Sequence, residues 1–355
     1  MTQLTPSGAQ LRKRRGAGRT RRYSVDLLPG LLLAILIAVL ATFAGHVLPV
    51  VGGPVIAVVS GALLSLRYHG RASLMPGIRF GAKYVLQLSV VLLGLGLSLQ
   101  EVSQVGTSSL PVLIGSLAAA LIVGLTIGKF LGLDKDLRLL VSVGTGICGA
   151  SAIAATTATI GAAEVDVSYA IATIFTFNVA AVLTFPTLGH ILGMSPHGFG
   201  LFAGTAVNDL SSVVAAANIF STASVGYAVI VKLTRTLMIV PITLATSLSR
   251  SRDQADGIKE ETKVWALIRR GIPPFLLLFI GAVVLNSTVG VPELIRVHLS
   301  STSSFLITVA LASIGLSTNI SAIRSTGAKP LLLGAILWVT VAVTSLGLQH
   351  LIGVH

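Results

Sequence analysis

Charge is scarce in this chain: 10% of its 355 residues are charged, where a soluble domain carries roughly a quarter. So few charges cannot cover a water-facing surface, and an ordinary soluble fold is excluded. Cysteine is reduced to Cys148 alone, which rules out an intrachain disulfide. Aromatic residues make up 5%. Neither a G-x-x-x-x-G-K-[ST] phosphate loop nor an H-E-x-x-H pair occurs. Nothing therefore points to nucleotide-driven pumping, to a metalloprotease, or to any metal or cofactor.

What is present is apolar. Hydrophobic residues reach 53% and glycine 37 positions, with a mean hydropathy of +0.90. This is the composition of an all-α polytopic membrane protein, whose small residues let helices approach closely. The formal +13 imitates a nucleic-acid binder, but the basic residues are spread through loops and no nucleic acid is expected as a partner. Residues 1–26 form a basic tail, with seven cations between Arg12 and Arg22. The first apolar run, Leu27 to Gly45, is long enough to span and lacks a small-residue cleavage site, so it reads as an uncleaved span.

Hydropathy windows give eleven candidate spans, near 27–45, 50–66, 79–99, 110–131, 137–160, 166–189, 197–219, 224–247, 265–289, 302–323 and 329–351. With the N-terminus in the cytoplasm, 22 of the 25 Lys and Arg fall in inside segments, which argues for N-in, C-out by the positive-inside rule. That threading puts the acidic GAAEVDV stretch outside. Residues 27–351 read as one transmembrane domain, with the polar segment 248–264 as a cytoplasmic loop.

Two internal echoes stand out, each at one constant offset. In the long-range echo, Gly96, Leu97, Ser98, Pro111 and Gly115 recur as Gly315, Leu316, Ser317, Pro330 and Gly334. Spans three and ten run oppositely, as inverted repeats require. In the short-range echo, Gly144, Thr145, Ser151 and Ala155 recur as Gly204, Thr205, Ser211 and Ala215. In the eleven-span threading those two segments run the same way, which conflicts with an inverted pair. Either one echo is convergent or one segment is re-entrant.

Charges buried in hydrocarbon cost about 2.5–3.5 kcal/mol each on insertion scales and mark transport pathways by default. Lys232 and Arg235 lie inside span eight, three apart on one helix face, and Asp209 is the acidic residue inside an apolar run. Helix rise places Asp209 and Lys232 at similar depth, so the three can meet, either as an anion site with a titrating carboxylate or as a buried ion pair that fixes packing. Around them, Asn208, Ser211 and Ser212 cluster beside Asp209. Gly146 and Gly149 interrupt a helix that would offer backbone amides, Thr145 and Ser151 to a substrate, and Thr205 takes the matching place in the second echo. His46, His190 and His197 lie near span ends and read as interfacial. Asn178, Asn286 and Asn319 read as interhelical hydrogen-bonding residues, and Trp265 and Trp338 need no special role.

At GTGICGASAIAA, AGTAVNDLSSVVAAA and VKLTR the chain resembles the YeiH-like family of bacterial inner-membrane proteins, which carry the label of sulfate exporters. The resemblance covers roughly residues 27–351. It implies inverted repeats with broken helices at the bilayer centre, as in cation/proton-antiporter and bile-acid-symporter folds. The chain departs from the pattern at Asn208, where the resemblance implies a histidine, and at Leu210 and Ser212, where it implies more polar side chains.

The resulting expectation is a secondary transporter, not an enzyme, in a bacterial plasma membrane. It would move a small anion such as sulfate, sulfite or an organosulfonate outward, with a proton or cation as coupling ion. The lipid bilayer is its other partner, and a homodimer is allowed. Two alternatives remain open: a cation/proton antiporter centred on Asp209, and a membrane-embedded enzyme (a Ser211 or Ser212–Lys232 dyad) or non-transporting scaffold.

Overall fold

A computed structural model describes residues 27–45, 53–68, 73–253, 274–317 and 327–353. Within these residues every regular element is helical. Among the described residues, seven helices are long and apolar enough to cross a membrane. Their outer faces are apolar rather than charged: α1 (Leu27–Gly45) exposes Leu32, Leu36, Leu40 and Phe43, and α5 (Leu99–Phe130) exposes Ile114, Ile122 and Phe130. Such continuous apolar surface suits hydrocarbon, not water. The protein is a multi-pass membrane protein.

The chain divides into two compact units, residues 1–87 with 305–318, and residues 88–304 with 319–355. In the first, α2 (Gly53–Tyr68) and α3 (Met75–Phe80) are held by glycine contacts. Any Cβ on Gly30 or Gly77 would collide with the backbone of the other's helix, and Gly61 stands in the same relation to Gly315 on α14 (Glu293–Ser317). Only glycine permits such close approach.

The second unit carries the polar core. Leucines pack onto glycines where α5 and α15 (Ala328–Leu351) lie antiparallel, with Gly115 facing Leu348, Gly124 facing Leu337 and Gly128 facing Leu333. That antiparallel pairing agrees with the long-range echo. Its Pro111 falls inside α5 and its Pro330 in the first turn of α15, while residues 318–326 lie outside the described ones.

The structure corrects two of the eleven spans. The 137–160 stretch is two half-length helices, α6 (Lys135–Gly146) and α7 (Ala150–Ile160), that fold back on each other. Leu137 and Ile160 share one apolar cluster, Gly144 packs on Ile153, and Asp166, six residues beyond α7, lies within electrostatic reach of Asp134 and Asp136 at the start of α6. A continuous helix of about 24 residues would hold those ends about 36 Å apart. Likewise 197–219 is a second hairpin of α9 (Pro196–Ala206) and α10 (Leu210–Phe220). Phe199 near its start stacks on Phe220 at its end with ring centroids 4.0 Å apart. Between the hairpins runs α8 (Glu164–Ile191), 28 residues long, so they enter from opposite ends of the bundle. The acidic GAAEVDV stretch accordingly sits at the same end as Lys135 and Arg138, not at the other.

This geometry also resolves the short-range echo. Gly144 and Thr145 are on α6 and their counterparts Gly204 and Thr205 on α9, and these helices approach the centre from opposite ends. The two segments are thus an inverted pair, as transporter repeats demand. The conflict arose from reading each hairpin as a crossing.

Candidate functional site: two hairpin tips joined by Lys232 and Arg235

The first hairpin turns at a glycine-bearing tip and the second at an extended, asparagine-bearing one. In the first the break runs from Ile147 to Gly149, whose φ of +68° and ψ of −130° belong to a region that a side chain makes costly. In the second, Val207 and Asp209 are extended, and Asp209 is the N-cap of α10, accepting from Ser212 N at 3.2 Å.

Four half-helix ends meet here, and the carbonyl ends of α6 and α9 are negative, with unsatisfied oxygens. Two cations from α11 (Thr222–Thr236) take them. Lys232 Nζ donates to Ile147 O and to Val207 O, each at 2.8 Å. Arg235 donates from Nη2 to Thr145 O at 2.8 Å, from Nε to Gly146 O at 2.7 Å, and from Nη1 to Thr205 O. Ile147 and Val207 stand at the same offset as Gly144 and Gly204, and so do Thr145 and Thr205. Each cation therefore bridges one carbonyl to its inverted-repeat counterpart, which places both at the local pseudo-two-fold. Both are fully enclosed, at 0% exposure.

This pairing differs from the ion pair that the charges alone suggest. Among the described residues neither cation forms an ion pair with Asp209, although Lys232 feels its charge. Hydrogen bonds to charged groups contribute about 1.5–3 kcal/mol each, and five of them offset part of the cost of burying two charges. Lys232 and Arg235 meet the hairpin tips, one of which carries Asp209, around a carbonyl cage rather than as a triad.

The other expected residues divide by role. The Thr145 hydroxyl donates to Val141 O at 2.9 Å and that of Thr205 to Leu201 O at 2.7 Å, so both serve their own helices. Thr205 also meets Ser345 Oγ at 2.5 Å, which Gln349 contacts in turn. Ser211 Oγ donates to Asp209 Oδ2, and Ser212 is the capped residue. Ser151, second residue of α7, is exposed, with Gly149 as an N-cap that has no side chain to bond. Among the described residues, two acceptors at the second tip have no donor: Asn208 Oδ1 and Asp209 Oδ1 are buried without a hydrogen-bond partner.

Asn178 belongs to the site more closely than its sequence suggested. Its Oδ1 accepts from Asn208 N at 3.1 Å and fixes the second tip to α8. One asparagine amid Ile, Phe and Val was its only signal. Elsewhere, His190 stacks on Phe220 and His197 packs at a tilt against Tyr227, at the hairpin base rather than the tips. Asn286 joins Leu97 O and Val291 N, and Trp338 stacks on Phe185. His46, Trp265 and Asn319 lie outside the described residues. Among the described residues no cluster of His, Cys, Asp and Glu is placed to hold a metal.

A family model described as conserved hypothetical protein 698 matches residues 29–334. Membrane proteins named UPF0324 align over nearly the whole chain. That of Streptococcus pyogenes serotype M3 is 45% identical over 334 residues, covering 92% of this chain and 98% of the relative. This chain belongs to the UPF0324 family. The relative from Streptococcus agalactiae serotype V is 42% identical over 336 residues, and that from Streptococcus pneumoniae serotype 4 is 45% identical over 332, again covering 92% of this chain. The YeiH-like resemblance at ICGASAI and VKLTR is thereby borne out, and with it the assignment to a bacterial membrane. The matched region holds every residue of the UPF0324 hairpin tips and both cations.

Proposed function

We propose that this UPF0324 protein is a secondary transporter of a small anion, with Asp209 as the coupling group. One observation carries the reading: two fully buried cations bonded to neutral carbonyls, with a single carboxylate near them. The local charge is about +1 with Asp209 ionised and +2 with it protonated. At an effective dielectric of about 20, a unit charge ~8 Å away contributes about 2 kcal/mol of attraction to an anion. The cations thus set the potential without touching the solute, and protonation of Asp209 raises it. Sulfate, sulfite and organosulfonates are the substrate classes in view, moved outward.

The proposed threading keeps the N-terminus inside and the C-terminus outside, with nine crossings and two hairpins in place of eleven crossings. Each hairpin returns to its own side, so the 22 inside cations stay inside. Moving GAAEVDV inward changes little, because acidic residues weigh lightly in the positive-inside bias.

Anion flux into proteoliposomes, driven by a pH gradient, tests the reading. Flux that depends on the gradient in the wild type, and loses that dependence in Asp209→Asn, is the expected result. Solute-independent leak or no flux for any anion would sink it. A second reading, cation/proton exchange at Asp209, is favoured by the unpartnered oxygens of Asn208 and Asp209; sodium flux that persists in Lys232→Met would select it. For a Ser–Lys enzyme there is no supporting geometry, since Lys232 Nζ is turned to two carbonyls.

A further inference from the structure

The inverted pair is not symmetric at one place, and that place is at the tips. Gly149 and Asp209 occupy matching positions in the short-range echo, each as the N-cap of its half-helix. In the second repeat Asp209 supplies its own carboxylate to α10. The first repeat has no side chain there, and α7 begins without a cap. Of its first amides, that of Ala152 is turned to the Cys148 sulfur. Ala150 and Ser151 are exposed. The N-terminus of such a helix, with free N–H groups and a positive dipole end, favours an oxyanion.

An independent feature lies against it. A Cβ on Gly149 would sit 3.5 Å from Asp209 Cβ and 3.6 Å from the carbonyl carbon of Asn208, so the two tips touch where α7 begins. In that same peptide, Asn208 is 1% exposed and its Oδ1 has no donor, and neither does Asp209 Oδ1. Buried acceptors are rarely left so. Protonation could satisfy Asp209. It cannot satisfy Asn208, whose amide oxygen needs a donor from outside.

From this juxtaposition we infer that the solute is a small monoanionic oxyanion carrying an O–H of its own. Its oxyanion caps α7 in place of the carboxylate that Gly149 lacks, and its O–H donates to Asn208 Oδ1. Hydrogencarbonate and hydroxymethanesulfonate have this chemistry. Sulfate, a dianion with no O–H, does not. The inference rests on the anion-transport reading and narrows its substrate class.

Two isosteric pairs test it on the purified full-length protein, by calorimetric affinity in a fixed sodium background. Each pair exchanges O–H for CH₃: hydrogencarbonate against acetate, and hydroxymethanesulfonate against ethanesulfonate. Leaving a buried acceptor unpaired costs about 10- to 100-fold in affinity, so the O–H member should bind tighter by that factor. In Asn208→Leu the ratio of affinities within each pair should fall toward unity. Equal affinities within both pairs in the wild type would overturn the inference and leave anion binding intact. A preference that survives in Asn208→Leu would also overturn it, since a water or another group would then meet the O–H. No binding of any of the four anions would instead remove the anion reading itself. The wild-type comparison holds even if the variant fails to fold.

Discussion

Arg235 offers three donor atoms to three carbonyls on two hairpins at once, a task that suits a rigid planar fork and not a point charge. Arg235→Lys should therefore lower the melting temperature of the detergent-purified protein while retaining charge. Arg235→Ala should do worse, because each carbonyl left unpaired costs about 1–3 kcal/mol. Loss of transport in Arg235→Ala would then report a disordered cage as much as a missing charge, so the Lys variant is the more informative one. A melting temperature unchanged in both would contradict the clamp. Asp209→Asn should keep the N-cap, since asparagine caps nearly as well as aspartate, and so separates the carboxylate's charge from its structural role.

At the scale of elements, the break in the first hairpin depends on Gly149. Its left-handed φ makes Gly149→Ala cost about 1–3 kcal/mol, although the methyl would meet Ile174 and Asp209 only at ordinary contact distance. Reduced thermal stability together with weaker anion binding is expected. Ser345→Ala removes the α15 contact to Thr205 and should cost about 1 kcal/mol with affinity unchanged, which controls for stability alone.

What the sequence disclosed at this scale follows from what hydropathy measures. Lys232, Arg235 and Asp209 were legible because charge is conspicuous among apolar residues. The hairpins were not, because two helices of 12 and 11 residues placed end to end have the apolar length of one crossing. Glycines at 144, 146 and 149 announced a break but not its angle. Only the conflict between the short-range echo and the assumed directions betrayed the fold-back. The partners of the cations were illegible for another reason: backbone carbonyls are present at every residue, so a cation bound to them leaves no partner to find. Asn178 was inconspicuous for the same lack of company.

For the whole molecule, the two hairpins fix which chain segments share a face. In a Cys148→Ser background, Lys135→Cys and Glu164→Cys should react with an impermeant thiol reagent from the same side of a sealed vesicle. Met194→Cys should react from the opposite side. An eleven-crossing chain would separate Lys135 from Glu164 and is excluded by that pattern. The first unit, held by Gly30 on Gly77 and Gly61 on Gly315, makes a parallel prediction. Gly61→Val should unfold or aggregate the protein, because backbone lies where the side chain would go.

A net charge carried from one hairpin's side of the bundle to the other's crosses the membrane potential, worth about 2.3 kcal/mol per elementary charge per 100 mV. Any net charge carried per cycle past Gly149 and Asp209 should therefore make turnover strongly dependent on a clamped potassium-diffusion potential.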